Sequence, residues 1–220
     1  MGGLLLRDFM ILGKTYRNFL VTILIFAAVA VLTDNILFML YPVVIAGLIP
    51  TSLISVDEKE GWDAYSLTLP LSKKQIVSAK YLLGSICTLG TALAMAFLWG
   101  IFLLVRRQGA FLLPSDGGEG ALPAGELLLV IIAAVSIGFF GLAISLPPVF
   151  KMGMAKGSLF YRIMIGVVMA LAFAFVSAKD TIPALPISEE ALAAGILAAA
   201  AVIYMISWQL SIWFYQKREL

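Results

Sequence analysis

The chain has no histidine, a single cysteine and few charges: Lys, Arg, Asp and Glu together make up 13% of its 220 residues. Without histidine, a His-ligated zinc site, a Ser/His/Asp triad and a histidine proton relay are all excluded. Cys87 alone forms neither an internal disulfide nor a CxxC pair, and its apolar surroundings read as those of an inert buried thiol. A soluble domain carries about 25% charged residues, so roughly half the expected charges are missing. The 15 basic and 13 acidic side chains that remain cannot coat a globule of this length, and a net charge of +2 makes no case for nucleic acid. In their place the chain is 62% hydrophobic, with a mean hydropathy of +1.04. These numbers exclude intrinsic disorder and describe an integral membrane protein.

Crossing about 30 Å of hydrocarbon takes about 20 helical residues. Six uncharged stretches approach or exceed that length, at residues 18–32, 36–56, 81–105, 127–150, 163–178 and 191–216. They are continuously apolar rather than alternating, which predicts helices and not a barrel. The expected fold is therefore all-α: one polytopic transmembrane domain of six helices over residues 1–220. Only Thr33, Asp34 and Asn35 separate the first two spans, which predicts a tight helical hairpin. Pro147-Pro148 is expected to end the fourth.

Short cytoplasmic loops retain Lys and Arg. With the N-terminus inside, twelve of the 15 basic residues fall in cytoplasmic segments and only Arg106, Arg107 and Lys179 outside, so both termini are expected in the cytoplasm. Residues 1–17 place Arg7 and Lys14 on one face and bulky apolar groups on the others, which reads as an interfacial helix rather than a cleaved signal peptide. Gly13-Lys14-Thr15 has the ending of a phosphate-binding loop, but Asp8 stands where its first glycine belongs and no strand precedes it, so the chain is not expected to bind ATP itself. No predicted span contains an ionisable Asp, Glu, Lys, Arg or His, so ion coupling has no carrier and any active transport must draw energy from another subunit. The third span has a run of small residues that includes Gly84, and the sixth has one from Ala191 to Ala201. Both suit close helix packing within the bundle or, alternatively, a dimer interface.

The longest cytoplasmic segment, Asp57 to Lys80, holds eight of the charges. Trp62, Tyr65 and Leu69 recur at i, i+3 and i+7, which predicts a short helix with large side chains on one face, stopped by Pro70. Ser72 with Gln75 is a capping box that opens the next helix. Such aromatics either fill a groove on a partner protein or lie among lipid headgroups, and the residues alone favour neither.

The order of an acidic cluster, an aromatic helix, Leu67-Thr68-Leu69-Pro70-Leu71-Ser72-Lys73-Lys74-Gln75-Ile76-Val77 and Lys80 entering a span resembles the loop between the second and third helices of ABC-2 type permeases. It is most similar to a small six-helix bacterial subgroup that includes exporters of amphipathic peptide toxins. The resemblance implies a permease subunit in a bacterial plasma membrane, working as a pair with a second copy or a paralogue. ATP and magnesium would be bound by a separate cytoplasmic ATPase, and the permease would hold no cofactor or metal. Glu58, Trp62, Tyr65, Leu67 and Leu69 would form the coupling segment, with Lys151 and Lys156 in a weaker second contact. A charge-free pathway suits hydrophobic or amphipathic cargo such as peptides or drugs. The alternative is a membrane immunity or scaffold protein that transports nothing.

Overall fold

The computed structural model describes residues 2–15, 17–33, 38, 40–66, 68–107, 124–178 and 189–217. Their regular elements are α1 (Gly2–Thr15), α2 (Arg17–Leu32), α3 (Leu40–Lys59), α4 (Trp62–Ser66), α5 (Lys73–Arg107), α6 (Ala124–Ala178) and α7 (Glu189–Lys217). Every regular element among the described residues is a helix, which suits hydrocarbon because a helix satisfies its own backbone polar groups. Among the described residues, four stretches are long and apolar enough to cross a membrane: Leu40–Lys59, Lys73–Val105, Leu128–Phe160 and Ala191–Lys217. They correspond to the second, third, fourth and sixth predicted spans. The first corresponds to α2, whose 16 residues fall short of a full crossing. The fifth lies in the far part of α6, where the side chains of 164–178 are outside the described residues. The predicted turn at 34–35 and most of the outer segments 106–126 and 179–190 also lie outside them.

The proline pair does not end the fourth span. α6 continues through buried Pro147 and Pro148 and breaks at Gly153, where φ is 76° and ψ is 173°. Each proline forfeits one backbone donor and bends a helix, which a packed bundle tolerates, whereas the backbone conformation at Gly153 is open essentially to glycine alone. The chain then doubles back, for a Cβ on Gly157 would lie 2.6 Å from Val149 Cα.

α3, the first limb of α6 and α7 run parallel. Along α3, Gly47 faces Gly138 so closely that a Cβ would meet the Gly138 carbonyl oxygen at 2.8 Å. Thr51 Oγ1 then donates to Ser145 Oγ at 3.1 Å, and Glu58 reaches Met154. α5 runs the other way: the Trp208 indole donates to Ser78 Oγ at 3.0 Å, and the Tyr81 hydroxyl sits 2.7 Å from both Ser207 and Ser211. Ser207 in turn donates to the Ala143 carbonyl, so one hydroxyl chain joins α5, α6 and α7. Of the small-residue runs, Gly84 is buried against Leu142 and Pro50 within the bundle. In the sixth span, by contrast, Ala191, Ala194, Gly195, Ala198, Ala199 and Ala201 are exposed.

Candidate functional site at one end of the bundle

Parallel α3 and antiparallel α5 bring Asp57, α4 and Lys80 to one end of the bundle, where α1 also lies and α7 finishes. α3 closes at Glu60, whose N–H reaches the Val56 carbonyl, and the chain turns at Gly61 with φ 69°, a left-handed conformation that glycine adopts without cost. The turn launches α4, one helical turn of five residues. It ends at Ser66, before Pro70, so Leu69 lies beyond the helix instead of on its face. The capping box forms as expected: Gln75 N–H donates to Ser72 Oγ at 3.2 Å, Ser72 N–H donates to Gln75 Oε1 at 3.0 Å, and α5 starts at Lys73.

Beneath this segment lies a charge cluster that the span-by-span reading missed. Asp8, Asp57 and Lys80 are buried, at 2%, 1% and 5% exposure. Lys80 Nζ is 2.8 Å from a carboxylate oxygen of each aspartate, and Arg7 bridges the same two residues at 3.1 Å to Asp8 and 2.6 Å to Asp57. Two positive and two negative groups cancel, which is how charges survive burial. The polar edge of α1 therefore docks onto α3 and α5, while Leu6, Phe9 and Met10 face outward. The sequence did hold a signal. Asp57 and Lys80 abut the ends of the second and third spans with opposite signs, and the Arg7-Asp8 pair supplies the complement.

The predicted site residues divide by what they touch. The Glu58 carboxylate accepts from Met154 N–H at 2.9 and 2.8 Å, capping the helix that restarts after Gly153. Half-buried Trp62 lies under the Arg7 guanidinium, 3.8 Å from the ring centroid, a cation–π contact. Tyr65, its ring 5.3 Å from that of Trp62, is 56% exposed. Half-buried Leu69 lines a groove of about 400 Å³ with Leu4, Arg7, Trp62, Pro70 and Leu71. Leu67 lies outside the described residues. Lys151 and Lys156 are exposed on either side of the Gly153 break. The site thus joins α4 to α1 through Trp62 and Arg7, while the end of α3 just before it is joined to α5 through Asp57 and Lys80 and to α6 through Glu58.

Against that geometry, the family model described as ABC-2 family transporter protein matches residues 3–216, nearly the whole chain. The chain belongs to the ABC-2 transporter family. Searches of the curated proteins and of the solved structures find no match. As an ABC-2 permease it is the membrane component of a transporter and not itself the ATPase. The family works with an ATPase partner in a membrane, and the long apolar helices make this a multi-pass member.

Proposed function

We propose that this permease subunit is the membrane half of an ATP-driven exporter in a bacterial plasma membrane, with both termini and α4 in the cytoplasm. Two copies, or one copy and a paralogue, line the pathway, and a separate cytoplasmic ATPase docks on α4. The observation that carries the docking assignment is Tyr65: a large aromatic on a one-turn helix, 56% exposed, while its neighbour Trp62 is held by Arg7. Exposed aromatics on a rigid base contribute much of the binding energy at protein interfaces. The base here is fastened by Trp62 to α1 and, through Asp57 and Glu58 at the end of α3, to α5 and α6. A displacement of α4 by closure of the ATPase then moves α1, α5 and the α6 turn together, a two-state change biased by nucleotide. Of the two lysines expected in a weaker second contact with the ATPase, Lys156 keeps that role, whereas Lys151 has its Nζ 4.9 Å from the Phe214 ring of α7 and is set apart from it.

The cargo is hydrophobic or amphipathic. Supporting this, a cavity of about 510 Å³ opens between α6 and α7 toward the end away from the lysines, lined by Leu129, Ile132, Phe140 and Ile196 with Ser136 its one polar side chain. That size falls in the range of small-molecule sites. The test is co-purification of the tagged chain with its partner ATPase, together with stimulation of ATP hydrolysis. Tyr65→Ala is expected to abolish both while leaving thermal unfolding unchanged. Undiminished association of the variant would remove α4 from the interface. An unaltered phenotype with a hydrolysis-dead ATPase would favour the scaffold reading.

A further inference from the structure

The last turns of α7 carry a cationic feature that coupling does not use. Lys217 Nζ lies 3.9 Å from the centroid of the Trp213 ring, and Lys151 Nζ, from α6, lies 4.9 Å from that of Phe214. The two rings are neighbours, with centroids 5.2 Å apart. Both lysines are exposed, and among the described residues no carboxylate pairs with either. Glu58 accepts from the backbone N–H of Met154, three residues beyond Lys151. The α7 C-terminus itself already has a cation, since Lys73 Nζ donates to the Gln216 carbonyl at 3.3 Å.

An apolar stripe leads to the pair. Ile196, Ile203, Ile206, Leu210, Trp213 and Lys217 fall at helical spacing on one face of α7, and the five apolar members are 40% to 61% exposed. From Ile206 to Lys217 the helix rises about 16 Å, close to the hydrocarbon depth of one leaflet. An acidic protein surface would match the ammonium groups but not the stripe. A neutral lipid would match the stripe but would gain nothing from two lysines, on different helices, that have no carboxylate partner among the described residues. A phospholipid with net negative charge matches both.

We propose that this face of α7 binds an anionic phospholipid, its acyl chains along Ile206 and Leu210 and its headgroup phosphate between Lys151 and Lys217. A lysine near an anionic headgroup is worth about fivefold in local binding, so the pair gives a selectivity of about 25-fold over a zwitterionic lipid.

The test uses the full chain in nanodiscs and reads quenching of tryptophan fluorescence by brominated phosphatidylglycerol against brominated phosphatidylcholine. Trp213→Phe isolates the signal from this face. Phosphatidylglycerol is expected to be preferred at Trp213 about 25-fold. The preference should fall to near one in Lys151→Gln with Lys217→Gln and survive in the corresponding double Arg variant. Both lysines are exposed, so the variants should unfold at the wild-type temperature. Equal quenching by the two lipids in the wild type, or a preference retained in the double Gln variant, would overturn the proposal. Loss of ATPase association by the Gln variant in discs of phosphatidylcholine alone, with no lipid preference in the wild type, would give the surface to a protein partner and overturn it as well. The coupling role of Tyr65 stands or falls separately, because it is measured without the anionic lipid.

Discussion

Asp57→Asn isolates the anchoring of α1. The substitution keeps the shape of the side chain but removes its charge from two contacts, 2.6 Å to Arg7 and 2.8 Å to Lys80, leaving a net positive charge shared by buried Lys80 and partly buried Arg7. At an effective dielectric of about 20, each contact has a gross attraction of about 6 kcal/mol. Desolvation of the ions offsets most of this in the wild type. Removing one partner leaves that cost uncompensated, so the expected loss is about 3–5 kcal/mol. For a chain of this length, that lowers the thermal midpoint by about 10 °C. The assay is thermal unfolding of the purified protein in one fixed detergent. Adding Lys80→Met to Asp57→Asn restores neutrality, with Arg7 and Asp8 still paired at 3.1 Å. The double variant is expected to recover about half of the loss. A single variant that unfolds within 1–2 °C of wild type (about 0.5 kcal/mol), or a double variant no better than additive, would show that solvent screens these charges and that they do not hold α1 to the bundle.

Trp62→Ala removes the ring beneath Arg7 and is expected to cost about 1–2 kcal/mol of stability, whereas Tyr65→Ala leaves stability unchanged; parallel unfolding curves separate the two roles. Gly153→Ala forces an alanine into a glycine-only conformation and should lower stability by about 1–3 kcal/mol. Gly157→Ala should be worse, since its Cβ would sit 2.6 Å from backbone. Tyr81→Phe strips the shared hydroxyl from buried Ser207 and Ser211 and should cost about 1–3 kcal/mol, measured as a lower thermal midpoint with an unchanged helical circular-dichroism spectrum.

Hydropathy was sufficient for the spans at 36–56, 81–105, 127–150 and 191–216, because long charge-free runs have few alternatives in lipid. Ser72 and Gln75 marked the start of α5 because a capping box is local. Pro147-Pro148 misled for a related reason: local proline chemistry predicts a stop, but both prolines are buried in a packed bundle that tolerates the lost donors, and the break moves to Gly153, whose backbone conformation excludes other residues. The charge cluster was invisible to counting along the chain, since Asp8, Asp57 and Lys80 meet only after three helices have assembled. Trp62 and Tyr65 were marked as a pair with one role. The division between them depends on where Arg7 lies, which periodicity does not report.

The most direct test places a photo-crosslinking residue at position 65 of the full permease, assembled with its partner ATPase, and compares it with one at Leu128, which is exposed near the other end of the bundle. Crosslinks to the ATPase from position 65, strengthened or weakened by ATP, and none from position 128, are the expected result. Equal crosslinking from both positions, or none from position 65 in a complex that still stimulates ATP hydrolysis, would contradict the assignment of α4 as the coupling element.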